Sequence, residues 1–234
     1  MLQAMKLKDK IVVIVGGSRG FGKALANLFI AEGSKVAIVS KNKENVESTG
    51  QEIGATPFVA DVRDEQSLRD AAEQIHKQFG RIDIWVNSAG VFKTFPKEDL
   101  IDMDKAHELF DINFFGAVFG CRTAFPYLTE SEGVMINILS SAALDATRAK
   151  NAKLYAASKW ALRGWIEAYR GEKAESPVKI LSVYPGGMKT HLHDEAIPED
   201  FENFMGPVYV AEKVIDSLKL DNPEPDLIIK RPKV

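Results

Sequence analysis

The turn Gly16-Gly17-Ser18-Arg19-Gly20-Phe21-Gly22 follows directly on the apolar run Ile11-Val12-Val13-Ile14-Val15, and a helix-forming segment begins inside it. A turn so rich in glycine can reverse tightly and lets another group approach its backbone closely. The helix that starts there presents free N–H groups and the positive end of its dipole. A strand, a glycine turn and a helix N-terminus in that order form a seat for a pyrophosphate. The spacing departs from G-x-G-x-x-G, because Gly16, Gly20 and Gly22 give G-x-x-x-G-x-G.

The rest of the chain repeats this opening unit. Short apolar runs predict strands over 11–15, 35–40, 56–60, 82–87, 134–140, 178–184 and 226–229. Several are β-branched without polar alternation, the pattern of strands buried on both faces of a parallel sheet. Helical patterns fall between them, over 20–32, 43–53, 65–79, 104–128, 154–175 and 210–220. Alternation of this kind predicts an α/β architecture, a Rossmann-type doubly wound parallel sheet. No repeat, low-complexity stretch or linker divides the chain, so a single dinucleotide-binding and catalytic domain over 1–234 is expected. The longest irregular stretch, 186–207, is expected to be a substrate lid.

Composition removes several function classes. A net charge of -3 offers no electrostatic basis for binding nucleic acid or a membrane. No apolar run is long enough to span a bilayer, and residues 1–10 lack a signal-peptide core. The single cysteine, Cys121, cannot form an internal disulfide and fits a cytoplasmic location. It lies in an apolar stretch, which suits a core position better than a nucleophile. The four histidines, His76, His107, His191 and His193, lack metal-ligand spacing, so no metal is expected.

Chemistry concentrates in Tyr155-Ala156-Ala157-Ser158-Lys159. Residues four apart on a helix share a face. A lysine ammonium beside a phenol favours the phenolate and brings a tyrosine toward use as a general acid or base. Taken alone, the pair is a common surface pattern.

Combined with the glycine turn, it makes the chain resemble the short-chain dehydrogenases/reductases over nearly its whole length. The family pattern T-G-x-x-x-G-x-G matches residues 15–22, except that Val15 stands where threonine is usual. N-x-A-G appears as Asn87-Ser88-Ala89-Gly90, and Asp61-Val62 matches the acidic-apolar pair that borders the adenine. Asn113 matches the asparagine of the fourth helix. Pro185-Gly186 matches the Pro-Gly after the sixth strand, and Thr190 falls at the hydroxyl position beyond it. The resemblance implies a nicotinamide cofactor held by Gly16, Ser18, Arg19, Gly20, Phe21, Gly22, Ser40, Lys41, Asp61, Val62, Asn87, Ala89, Gly90, Tyr155, Lys159, Pro185, Gly186, Met188 and Thr190. It implies a small carbonyl or alcohol substrate and hydride transfer to or from its carbon.

The catalytic roles follow from that resemblance. Tyr155 supplies the proton, and Lys159 lowers its pKa and holds the nicotinamide ribose. Asn113 either anchors a proton relay to Lys159 or braces a helix kink. The serine that holds the substrate oxygen has two candidates. The N-x-x-S register over 137–140 selects Ser140, whereas the usual distance to the tyrosine favours Ser141. A strand tolerates an insertion poorly and the following loop tolerates it well, which selects Ser140.

Charge decides between the two dinucleotides. NAD-binding members carry an acid at the end of the second strand, where this chain has Ser40 followed by Lys41. Lys41 and Arg19 attract a 2′-phosphate that a carboxylate would repel, so NADP(H) is expected in preference to NAD(H). The alternatives are an NAD-linked alcohol dehydrogenase and a non-catalytic dinucleotide-sensing protein. Near the expected substrate mouth, Arg148, Lys150 and Lys153 form either a solvated loop or an attractor for an anionic substrate, and Phe92, Phe95 and Met188 suit an apolar pocket. The large apolar groups of 104–128 and 154–175 exceed one core-facing stripe, so a homodimer or homotetramer built through those helices is expected.

Overall fold

The computed structural model describes residues 5–95, 101–149, 151–194, 197–198 and 200–231, with Arg148 described by its backbone alone. Lys150, the side chain of Arg148, and Glu195, Ala196 and Glu199 of the expected lid therefore lie outside the described residues.

Seven strands form one parallel sheet: β1 (Ile11–Val15), β2 (Lys35–Ser40), β3 (Thr56–Val59), β4 (Ile84–Asn87), β5 (Val134–Ile138), β6 (Lys179–Pro185) and β7 (Asp226–Ile229). Their order across the sheet is β3-β2-β1-β4-β5-β6-β7. The helices are α1 (Gly20–Ala31), α2 (Lys43–Ile53), α3 (Glu65–Phe79), α4 (Met103–Phe110), α5 (Gly116–Ser131), α6 (Lys153–Glu172) and α7 (Pro207–Leu218).

The unbroken apolar character of β1 is explained by its two neighbours in depth. Val12 and Ile14 pack on one face with Leu25 and Phe29 of α1 and Val210 and Val214 of α7. Val13 and Val15 pack on the other with Leu68 and Ile75 of α3, Cys121 of α5 and Leu162 of α6. Alternating side chains thus feed two cores, each covered by helices. The helix ends follow local chemistry. The Asp64 carboxylate accepts from the Gln66 N–H at the start of α3, and Gly80 closes that helix in the left-handed region with φ of 80°.

Connections leaving β1 and β4 run in opposite directions along the sheet. The crevice between these strands, outside their carboxyl ends, is where an open α/β sheet receives a ligand. The sequence predicted one helix over 104–128. The chain instead forms α4, a π-helical turn over Asp111–Phe115, and α5. The wide turn shifts the apolar stripe out of phase. Leu109 of α4 packs near Tyr155, while Cys121, Ala124 and Leu128 of α5 pack on the sheet. Among the described residues no helix is long and apolar enough to cross a membrane.

Candidate active site

A cleft of about 1560 Å³ opens along the carboxyl edge of the sheet. Its floor at one end is the glycine turn. Gly16 has φ of +85°, and a Cβ there would come within 2.6 Å of the Ala89 backbone nitrogen, so the turn and the loop after β4 touch backbone to backbone. Arg19 precedes α1 without a side-chain cap bond, and the first turn of α1 carries no acid. Its amide groups and dipole are therefore left to act on whatever enters the cleft.

Ser18 Oγ donates to Ser40 Oγ at 3.0 Å, joining the glycine turn to the end of β2. Arg19 and Lys41 are exposed and both line the cleft. Asp61 lines it too, and Arg63 clamps its carboxylate with Nε at 3.0 Å and a terminal nitrogen at 2.5 Å. That contact holds the Asp61 carboxyl below its ordinary range. Gly20, Phe21, Gly22, Val62, Ala89, Gly90, Pro185, Gly186, Met188 and Thr190 complete the same wall.

Two residues singled out in the sequence stand behind that wall instead. Asn87 is buried at the end of β4. It accepts from Trp85 Nε1 at 2.9 Å and donates to Asn137 Oδ1 at 2.9 Å, with Cys121 Sγ at 3.3 Å. Its side chain ties β4 to β5 and to α5 and turns away from the cleft. Asn113 is also buried, in the π-helical turn. Its amide exchanges two bonds with the Val91 backbone, at 2.8 and 2.9 Å, and donates to Ser158 Oγ at 3.3 Å. Of the two roles read for Asn113, bracing is the one these contacts show. A Cβ at Gly90 would lie 3.3 Å from Asn113 Oδ1 and 3.9 Å from Lys159 Nζ, which places the bracing amide beside the lysine.

At the centre of the cleft the first turns of α6 present Tyr155 and Lys159 on one face. Lys159 is 5% exposed, and its Nζ donates to the Ile138 carbonyl at 3.1 Å, at the end of β5. Burial pulls its pKa down to about 8. Tyr155 is also buried, and burial pushes its pKa above the ordinary value while a hydrogen bond with Ser140 opposes that shift. The Lys159 ammonium is engaged by a strand carbonyl, and loss of water is the largest influence on both residues.

Ser140 precedes a 3-10 turn over Ser141–Ala143, and its Oγ accepts from the Ala142 N–H at 3.1 Å. The same hydroxyl faces Tyr155, whereas Ser141 is exposed. The change from extended backbone at Ser140 to the 3-10 turn at Ser141 thus separates two adjacent serines, both of which line the cleft.

The far end of the cleft is apolar. Phe92 packs edge-on against Tyr155 at 5.0 Å between ring centroids. Leu144, Ala152, Leu192, His193 and Phe204 lie around it, and Met188 lines the wall while Phe95 does not. The segment that carries His193 is closed at its neck by its own backbone. Met188 bridges to Met205, the Lys189 N–H donates to the Met205 carbonyl at 2.8 Å, and the Met205 N–H donates to the Gly187 carbonyl at 2.9 Å. A Cβ at Gly187 would lie 2.6 Å from the Phe204 ring, so glycine there lets the ring lie directly against the neck. Lys230 and Arg231, beyond β7, also reach the cleft; sequence reading missed them because no local pattern marks a chain segment that crosses a distant opening.

Comparison with known proteins agrees with this geometry. The short chain dehydrogenase family model matches residues 10–200, and the chain belongs to that family. It is 31% identical to the uncharacterized oxidoreductase YxnA of Bacillus subtilis, over 97% of this chain and 67% of that protein. An uncharacterized oxidoreductase of Staphylococcus aureus is 29% identical, over 91% of this chain and 92% of the relative. Among solved structures, a 3-ketoacyl-(acyl-carrier-protein) reductase from Brucella melitensis complexed with NADH superposes with a TM-score of 0.87 at 24% identity, covering 95% of this chain and 97% of the other. An alcohol dehydrogenase from Thermococcus sibiricus complexed with 5-hydroxy-NADP gives a TM-score of 0.82 at 23% identity, covering 97% and 100%.

Proposed function

We propose that the chain is an NADP(H)-dependent oxidoreductase acting on a carbonyl or alcohol group, with Tyr155 as its general acid and base. The observation that carries this reading is that Ser140, Tyr155 and Lys159 line one cleft together, with Tyr155 and Lys159 on the same face of α6, at the switch point of the sheet. The nicotinamide supplies the hydride in reduction and takes it in oxidation. The residues present fit such a group, since the Gly16 cradle admits backbone contact and the uncapped start of α1 offers donors to phosphate. The two solved relatives, one with NADH and one with an NADP analogue, agree with a nicotinamide dinucleotide and leave the choice to this chain's charges.

Each residue then has a stated task. Ser18, Gly20, Phe21 and Gly22 hold the phosphates beside Gly16, and Asp61 and Val62 border the adenine. Ala89, Gly90, Pro185, Gly186, Met188 and Thr190 enclose the nicotinamide end. Ser140 donates to the substrate oxygen, and Tyr155 passes its proton to that oxygen as negative charge builds there. Lys159 holds positive charge near the ribose and beneath the phenol. The segment 186–207 covers the substrate and excludes water.

Arg19 and Lys41 meet the 2′-phosphate. A charge-assisted contact contributes about 1.5–3 kcal/mol, so NADPH is expected to be used at least about tenfold more efficiently than NADH. Ser40→Asp places a carboxylate beside that phosphate and is expected to reverse the preference. Steady-state rates with both cofactors measure this, and equal efficiency in the unmodified protein would contradict it.

Ser140→Ala is expected to lower turnover by about 100-fold, in the range of one lost donor to a developing oxyanion, while Ser141→Ala stays within about twofold. The opposite ranking would move the role to Ser141.

The reading includes a homodimer or homotetramer. Phe115 and Trp160 are each 44% exposed, and with half-buried Phe119, Trp165 and Tyr169 they form an apolar face across α5, α6 and the π-helical turn. Pairing that face across a two-fold axis covers it. Light scattering at micromolar concentration is expected to report at least two chains, and a fully active monomer would remove this part of the reading.

A further inference from the structure

The chain beyond β7 runs along the opening of the cleft. Its backbone is fixed there first, since the Gly186 N–H donates to the Ile229 carbonyl at 3.0 Å. Two residues later Arg231 reaches the stretch 200–204. Its guanidinium carbon lies 4.6 Å from the centre of the Phe204 ring, and a terminal nitrogen pairs with the Asp200 carboxylate at 2.8 Å. Arg231, Asp200 and Phe204 all line the cleft. One side chain thus bridges two segments that are far apart in the sequence. Within the stretch itself, Glu202 pairs with Lys189 at 3.2 Å, a tie that begins and ends in the segment 186–207.

Phe204 connects that arginine to the interior of the site. Its ring lies against Gly187 at the neck. A row of ring contacts then leads inward. His193 stands 5.3 Å from Phe204 and 4.8 Å from Phe92, and Phe92 stands 5.0 Å from Tyr155, each edge to face. Arg231 is the outer end of this row and Tyr155 the inner end. An exposed ion pair alone holds a chain weakly, because water and salt screen it. A guanidinium is planar, so Arg231 can lie over a ring while it pairs with a carboxylate, and the two contacts act on the same stretch. Edge-to-face contacts hold only at defined ring positions, so a displaced Phe204 loosens the wall that a substrate meets.

We propose that Arg231 is a positioning residue for substrate binding: it clamps Asp200 and Phe204 from beyond β7 and so fixes the aromatic wall that leads to Tyr155. This rests on the reading of the cleft given above. The clamp acts on substrate affinity and not on proton transfer, because Phe204, His193 and Phe92 stand between Arg231 and the phenol.

Two measurements test it, one of them independent of turnover. In the cofactor-free protein, amide exchange of a peptide spanning 200–206 is expected to quicken about tenfold in Arg231→Ala, while the peptide over α7 keeps its protection. Arg231→Lys keeps the charge and loses the planar group, and is expected to restore part of that protection. Asp200→Ala is expected to add little when combined with Arg231→Ala, since the two variants remove one shared contact. In steady-state kinetics with NADPH and the best-used member of a panel of aromatic aldehydes and ketones, Arg231→Ala is expected to raise KM about tenfold and to keep kcat within about twofold. Unchanged exchange over 200–206 in Arg231→Ala overturns the proposal. So does faster exchange with an unchanged KM, or an equal gain in exchange over α7, because a merely structural arginine would produce either result. Absence of turnover across the panel in the unmodified protein counts against the oxidoreductase reading instead, and the exchange result still decides whether the clamp exists.

Discussion

Tyr155→Phe is expected to lower turnover by about 1000-fold and to leave NADPH affinity within about twofold. General acid–base catalysis by a positioned side chain contributes about 100- to 10,000-fold, and no other described phenol lines the cleft. The substitution removes one oxygen and retains the ring. The edge-on contact with Phe92 and the packing near Leu109 and Ala152 therefore survive. The split between binding and turnover is what identifies a proton donor. A variant that still turns over substrate at near-normal rate would mean that the proton comes from another group. A variant that loses cofactor binding as well would mean that the phenol holds the cleft open.

Lys159→Met is expected to abolish most activity, weaken NADPH binding and make the protein more stable. In an unfolded chain lysine titrates near about 10.4, whereas burial brings Lys159 down to about 8. A lysine whose folded pKa is depressed opposes folding wherever the native state must carry its charge. That penalty, on the order of 3 kcal/mol, is fully present below about pH 8. It declines between about pH 8 and about pH 10, where the native state has released the proton and the unfolded state has not. Methionine keeps the unbranched apolar stem and removes the charge. It also removes the bond to the Ile138 carbonyl, at a cost of about 1 kcal/mol. The net gain is about 1–2 kcal/mol near neutral pH and shrinks toward about pH 9.5. Urea unfolding of the cofactor-free protein at those two pH values measures it. A variant less stable than the parent near neutral pH would show that the carbonyl bond outweighs the buried charge.

Much of the sheet was legible because its physics is local. Five consecutive β-branched residues over 11–15, followed by glycines and a helical pattern, leave little choice of structure. The parallel order followed from alternation alone, and β1 through β7 fall within a residue or two of the predicted runs. Side-chain direction was less legible. Asn87 and Asn113 both lie in segments that approach the cleft, yet both amides turn into the protein, toward Asn137 and Val91. Motif spacing reports where a residue sits along the chain, not which way its side chain points. The break within 104–128 was hidden for a related reason. A π-helical turn adds one residue to the helical repeat and leaves composition unchanged, so an apolar pattern read with one period merges two helices that face different partners. Ser140 and Ser141 show the opposite case. The turn that follows β5 separates them, since Ser140 is extended and Ser141 opens the 3-10 turn.

The neck formed by Met188 and Met205 has a consequence for how such a protein diversifies. Because the backbone bonds of Gly187, Lys189 and Met205 close the segment on itself, the chain between them can change length and sequence without disturbing β6 or α7 on either side. The sheet, the glycine turn, Thr190 beside it and the Tyr155–Lys159 face form a chassis, and the stretch from His191 to Phe204 is an exchangeable cartridge seated on it. Relatives that share the chassis are free to differ in appetite, since replacing that one stretch exchanges Leu192, His193 and Phe204 together and leaves the proton-handling groups in place.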